Sequence, residues 1–234
     1  MLLLFDIDGT LVDTGGAGRR ALTEALRIVC GVDDGLEGVR LHGSTDRNIL
    51  ADAFQKHVGR PLDGVGEWSA IIDTYVGQLQ EELQKASEYV VLDGARALPE
   101  ACRSAGRFAV GIATGNVEQA AQLKLEPGGL WPLFDFGGYG SDAAQRADLV
   151  RRGIARGQAH AEARWGRRFA DDEVVVLGDT EKDVLAAKAV GALSVGVLKG
   201  SRHKDALEAS KPDLLVDSLM DSRLWKHLGL TPSN

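Results

Sequence analysis

The chain is poor in the features that mark secreted, membrane-spanning or nucleic-acid-binding proteins. Its 234 residues include only two cysteines, Cys30 and Cys102. They lie far apart and form neither a C-x-x-C pair nor a zinc-ligand pattern, so a reducing cytoplasm is the expected compartment. No apolar run approaches the roughly 18 residues that cross a bilayer. The N-terminal run Met1-Leu2-Leu3-Leu4-Phe5 lacks a basic leader and meets Asp6 at once, so it does not read as a signal peptide. Positive charge is scarce as well. Lys and Arg number 27 against 34 Asp and Glu, a net charge of −7. Binding to a nucleic-acid backbone needs clustered Lys and Arg, so neither nucleic acid nor membrane is an expected partner. Repeats and low-complexity tracts are absent. The four tryptophans (Trp68, Trp131, Trp165 and Trp225) are scattered and read as packing residues. The last four residues, 231–234, are expected to fray.

Short apolar runs stop at polar clusters along most of the sequence. They occur at 2–5, 108–113, 174–177, 193–197 and 214–216. Runs of this kind fit strands buried on both faces. Between them, 95–105, 117–125, 146–165 and 183–190 carry apolar residues at helical spacing. Strands alternating with helices predict an α/β fold with a doubly wound parallel sheet. One connection is too long. Roughly a hundred residues separate the first strand from the second, where a βαβ unit needs about 30. Three helical patterns fill that interval, one around Ala21 to Val29, one around Ile49 to Val58 and one around Trp68 to Leu79. The spacing predicts a small all-helical insert over 15–88, with residues 1–14 and 89–234 forming the α/β core.

In open parallel sheets, ligands bind beyond the carboxyl ends of the strands. Three loops matter there. The first strand runs into Asp6-Ile7-Asp8-Gly9-Thr10, the second into Thr114-Gly115-Asn116, and the third into Gly178-Asp179-Thr180-Glu181-Lys182-Asp183. Four carboxylates then converge on one rim and repel one another. A hard dication relieves that repulsion, and Mg²⁺ is commonly held by one or two carboxylates with a substrate phosphate.

The stretch Asp6-Ile7-Asp8-Gly9-Thr10-Leu11-Val12-Asp13 resembles the first signature of the haloacid dehalogenase superfamily. Thr114-Gly115-Asn116 resembles its second motif. Gly178 to Asp183, with Ala186-Ala187-Lys188-Ala189-Val190-Gly191-Ala192 behind it, resembles its fourth. The insert resembles the helical C1 cap of that superfamily, and the fold implied is its Rossmann-like core. The resemblance implies Asp6 as a nucleophile toward phosphorus and Asp8 as the acid and base. It implies a phosphate cradle from backbone amides around Asp8 and Gly9, with Thr114, Gly115 and Asn116. It implies Mg²⁺ held by Asp6, the Asp8 carbonyl, Asp179 and, directly or through water, Asp183.

The third motif of the superfamily has a Lys at the start of a helix. Here Arg146 opens the predicted helix and is the candidate for that cation, either there or as an ordinary solvated residue. Lys124 is the competing candidate, placed further from the rim inside a helix. In the insert, Gly43-Ser44-Thr45-Asp46 resembles the substrate-facing loop of C1 caps. Thr45 is a candidate substrate contact, or one of Thr45 and Asp46 caps the following helix. Arg19 and Arg20 begin the first helix of the insert, and an Arg there could reach a carboxylate or second phosphate of a substrate, or lie on a solvated face. His42 either meets substrate or simply sits in its loop. The implied activity is a Mg²⁺-dependent phosphomonoesterase acting on a small phosphorylated metabolite, similar to the phosphoglycolate phosphatases. A β-phosphoglucomutase and a non-catalytic phosphate-binding module remain alternatives, as do monomer and homodimer. Asp8 argues against a dehalogenase, and the insert lacks a loop lysine suited to a phosphonatase.

Overall fold

The structure, a computed structural model, describes residues 1–62 and 64–232. Of the tail expected to fray, Ser233 and Asn234 lie outside the described residues. Six parallel strands form the main sheet: β1 (Leu2–Phe5), β4 (Ala109–Ala113), β5 (Gly137–Gly138), β6 (Val174–Gly178), β7 (Leu193–Val197) and β8 (Leu214–Val216). Their spatial order is β5-β4-β1-β6-β7-β8. β1 is therefore central. Its last residue, Phe5, lies opposite Ile112 of β4 and Leu177 of β6. That register brings the ends of the three motif-bearing strands side by side.

Alternation along β1 divides the core. Leu3 and Phe5 enter one apolar layer with Leu98, Val110, Leu125 and Trp225. Leu2 and Leu4 enter the opposite layer with Leu149, Ala161, Val176 and Ala187. The helices on these faces are α4 (Ala97–Ser104), α5 (Glu118–Leu125) and α9 (Ser222–His227) on the first, and α6 (Arg146–Trp165) and α7 (Glu181–Ala189) on the second. α8 (Lys204–Ala209) adds a short turn before β8. Both faces are covered, which is why these strands read as continuous apolar runs.

The approach of α6 to the sheet requires glycine. A Cβ on Gly138 would lie 1.9 Å from the Leu149 carbonyl oxygen and 2.8 Å from the Gly153 nitrogen. Both obstacles are backbone and cannot swing aside. Gly138→Ala is expected to destabilise the fold by about 3 kcal/mol or more, measured by urea denaturation. An unchanged midpoint would show that α6 shifts without cost.

Helices α1 (Ala17–Cys30), α2 (Asp46–Ala53) and α3 (Val65–Lys85) follow β1. They bury a cluster of their own that includes Leu22, Leu26, Leu50, Phe54, Ile71 and Leu79. Val117 and Ala120 of the core side join that cluster and seat the helices on α5. The second helical pattern differs in one respect from its prediction. α2 ends at Ala53 and continues as a π-helical turn, Phe54–Val58, closed by Gly59 at φ 75°. The chain leaves for these helices through β2 (Val12–Asp13) and returns through β3 (Val90–Val91), an antiparallel pair with Val12 opposite Val91. Strands of two residues carry no periodicity, so the sequence did not predict this ribbon.

Candidate active site

Asp6 directly follows β1, and its N–H still donates to the Leu177 carbonyl at 2.8 Å. The chain then turns sharply, with the N–H groups of Leu11 and Val12 returning to the Ile7 carbonyl. Gly9 makes the turn possible at φ 81°, and a Cβ there would fall 2.4 Å from a carboxylate oxygen of Asp179. The turn thus presses directly on the loop after β6.

Carboxylate oxygens of Asp6, Asp179 and Asp183 lie within 4.8 Å of one another, and all three residues are buried. Arg146, at the first position of α6, enters this cluster. Its Nη2 is 2.8 Å from Asp6 and 2.6 Å from Asp183, and its Nε donates to Asp183 Oδ1 at 2.8 Å. The Nη2 contacts are close ion pairs without hydrogen-bond alignment. With only 8 % of its side chain exposed, Arg146 is no solvated helix residue. The second oxygen of Asp183 accepts from both the N–H and the hydroxyl of Thr180, closing a capping box at the start of α7. Asp183 therefore has both oxygens committed. Asp179 differs, because its buried Oδ1 has no hydrogen-bond partner.

Asp8 is held by a separate cation. Lys124 Nζ donates to both of its carboxylate oxygens, at 2.9 and 2.8 Å, and to Asn116 Oδ1 at 2.7 Å. Asn116 Nδ2 donates to Asp8 Oδ2 and to Thr114 Oγ1, each at 2.8 Å. Lys124 thus reaches the rim, contrary to the placement expected from its position in α5. Helical side chains lean toward the helix N-terminus, and this long stem runs back along α5 to the loop after β4.

Two of the expected phosphate contacts already have polar groups engaged within the protein. The Gly9 N–H donates to the Val12 carbonyl at 2.9 Å, so it closes the turn and is not open to a ligand. The Asn116 amide spends its polar atoms on Asp8, Thr114 and Lys124, while the residue also lines the cavity. Thr114 and Gly115 line the cavity. The Thr114 hydroxyl accepts from Asn116 and keeps its own hydrogen for donation.

The cavity above these groups has a volume of about 250 Å³ and lies between the sheet rim and the helices α1 to α3. Its wall on the helical side includes Arg19, Leu22, His42, Asp46 and Tyr75. His42 also packs edge-on against His203, with ring centroids 4.9 Å apart. The loop before α2 clasps the core at several points. The Asp46 N–H donates to the Gly115 carbonyl and its Oδ2 accepts from the Val117 N–H, both at 2.8 Å. The Arg146 guanidinium donates to the Gly43 carbonyl at 3.3 Å, and Lys182 donates to Ser44 Oγ at 2.8 Å. Thr45 is not among the cavity-lining residues. Its hydroxyl donates to the Ala144 carbonyl and accepts from the Asn48 N–H, so it caps α2 and fastens the clasp.

The electrostatics follow from burial and neighbours. Burial pushes the Asp6 carboxyl up to about 7, with Asp183 and Asp8 adding to the rise and Arg146 opposing it. Burial, Asp6 and Asp183 likewise hold Asp179 well above the usual carboxylate range. For Asp8, burial would raise the pKa, but the charge and hydrogen bond of Lys124 with that of Asn116 keep it below its ordinary value. Burial also lifts Asp46 to about 6. Three clustered carboxylates face a single guanidinium, and one carboxylate oxygen is buried without a partner. This donor set is hard, anionic and all oxygen, and it fits Mg²⁺.

The comparisons agree with this geometry. Residues 1–191 match the family of haloacid dehalogenase-like hydrolases. The chain belongs to that family. Among curated relatives, it is 28 % identical to "Probable phosphatase IndB" of Dickeya dadantii, across 94 % of this chain and 90 % of the relative. It is 25 % identical to a phosphoglycolate phosphatase of Salmonella paratyphi A, across 98 % and 93 %. Among solved structures, CbbY from Rhodobacter sphaeroides in complex with phosphate superposes with a TM-score of 0.66 at 23 % identity, across 93 % and 94 %. That likeness supports the fold. Among the described residues, no helix is long and apolar enough to cross a membrane.

Proposed function

We propose that the chain is a Mg²⁺-dependent phosphomonoesterase of small phosphorylated metabolites, similar to the phosphoglycolate phosphatases, working in the cytoplasm. The observation that carries this reading is the pair of acid–cation sets on one rim. Arg146 sits on Asp6, and Lys124 sits on Asp8, 2.8 Å away in each case. Residues 15–88 act as the cap, and the cavity beneath admits a metabolite of a few carbons.

In this reading an Asp6 oxygen attacks phosphorus, forming an acyl phosphate as the phosphorus–oxygen bond to the leaving group breaks. Asp8, which Lys124 keeps ionised in the free protein, takes up a proton as the phosphate enters beside it and delivers that proton to the departing alkoxide. It then takes a proton from the water that attacks the acyl phosphate, which regenerates the Asp6 carboxylate and releases inorganic phosphate. Asp8 has 45 % of its side chain exposed against 8 % for Asp6, which suits a group that must meet both leaving oxygen and water. Thr114 donates its hydroxyl to phosphate, beside the Gly115 backbone. Mg²⁺ would be held by Asp6, the Asp8 carbonyl and Asp179, with Asp183 binding directly or through water, and would supply charge neutralisation between the carboxylates and the phosphate. Arg146 orients Asp6 and balances part of the same charge.

The test is phosphate release from a panel of small phosphomonoesters, including 2-phosphoglycolate, in Mg²⁺ and in EDTA. Turnover that EDTA abolishes is expected on at least one member, with kcat/KM of about 10⁴ M⁻¹s⁻¹ or above. A folded, Mg²⁺-loaded protein that releases no phosphate from any member would overturn the reading.

A further inference from the structure

We propose that Lys124 is the positioning residue for Asp8: together with Asn116 it fixes the Asp8 carboxylate in the one orientation that serves the leaving group. The inference rests on the phosphomonoesterase reading and assigns Lys124 a part that the motifs leave open. A lysine ammonium has three hydrogens. Here its three contacts are the two Asp8 oxygens and the Asn116 amide oxygen that belongs to the same clamp. Nothing is left over for substrate.

The burial of this lysine makes the arrangement specific. Lys124 has 6 % of its side chain exposed, although Asp8 itself opens to the cavity. A buried ammonium is costly unless it is paired and hydrogen-bonded, so Lys124 and Asp8 hold each other in place. The roof over the pair comes from the helical insert. Gly18 of α1 lies so close that a Cβ there would be 3.2 Å from Lys124 Nζ and 3.3 Å from its Cε. Because the ammonium side of the pair is buried, the attraction is screened less than in a surface pair and the carboxylate is held more stiffly. The other cation of the site, Arg146, contacts Asp6 and Asp183, so the two catalytic carboxylates are positioned independently.

Proton delivery depends on leaving-group chemistry, and this separates positioning from general support of the fold. An alkoxide must be protonated as it departs, whereas p-nitrophenolate leaves without help. kcat/KM reports the steps through that cleavage and is insensitive to later hydrolysis of the acyl phosphate. Lys124→Met keeps the stem and removes the charge. Its kcat/KM on the best alkyl phosphomonoester of the panel is expected to fall about 100-fold, the cost of a misplaced catalytic group. On p-nitrophenyl phosphate the fall is expected to stay under about tenfold, because no proton transfer is lost. Combined with Asp8→Asn, Lys124→Met should cause no further loss on the alkyl ester, since both act through one group.

Thermal melts in Mg²⁺ check that the variant is folded. Should Lys124→Met fail to fold, Lys124→Gln retains a hydrogen-bond donor in the same burial and carries the same comparison. Equal losses on the two esters, undiminished turnover of the alkyl ester, or full additivity with Asp8→Asn would each overturn the positioning role. Failure of the unmodified protein on both esters would instead remove the phosphomonoesterase reading and this inference with it.

Discussion

Asp6→Asn is expected to remove phosphatase turnover by a factor of about 10⁴ or more while leaving the fold intact. The amide has nearly the same shape as the carboxylate, so the packing at the end of β1 is kept. It lacks the anionic oxygen that bonds to phosphorus, so no acyl phosphate forms. The readout is phosphate release on the best panel substrate, with a thermal melt alongside. Phosphate binding should persist, because Thr114, Gly115 and Arg146 are untouched. A variant that retained even a tenth of the turnover would mean that some other group attacks, and the role given to Asp6 would fall.

Arg146→Met is expected to have the largest effect on stability, and that effect should depend on the metal. The substitution leaves Asp6, Asp179 and Asp183 facing one another without their guanidinium. Removing one partner of a buried ion pair costs about 3–5 kcal/mol. In EDTA the variant should therefore melt well below the unmodified protein. Saturating Mg²⁺ should recover much of the difference, because the ion binds the folded cluster and not the unfolded chain. Activity in Mg²⁺ should still drop by about 10²- to 10³-fold, the usual effect of losing a preorganised charge beside the reacting group. Equal melting of variant and unmodified protein in EDTA would show that the cluster is neutralised by its own protons and does not rely on Arg146.

The two substitutions test residues that the sequence revealed to different degrees. Asp6, Asp8 and Asp179 were legible because short apolar runs ended at them, and β1, β4 and β6 are adjacent in the sheet. Arg146 was legible as the opener of α6, but its burial against Asp6 was not, since nearby Arg151, Arg152 and Arg156 gave the stretch a solvated look. Lys124 was misplaced for a geometric reason. Position in a helix gives the place of a Cα, while a lysine places its charge several bonds away and toward the helix start. Thr45 offered two readings, and capping took the hydroxyl. β5 was invisible because Gly137 and Gly138 have no side chains to form a pattern, and the bare Cα of Gly138 is what admits α6.

The two-residue ribbon of β2 and β3 has a mechanical consequence. The chain enters the helical insert and leaves it through this ribbon, whose strands are tied at Val12–Val91 and Asp13–Val90. A paired ribbon resists sliding of one strand past the other but twists readily about its length. Any sideways drift of the helices it carries would break these pairs. The ribbon starts beside Asp8, which itself bridges to Val12. The clasp of Gly43, Ser44 and Asp46 ties the same helices to the core a second time, at the loop after β4 and at the starts of α6 and α7, so the insert is anchored on both sides of Asp8.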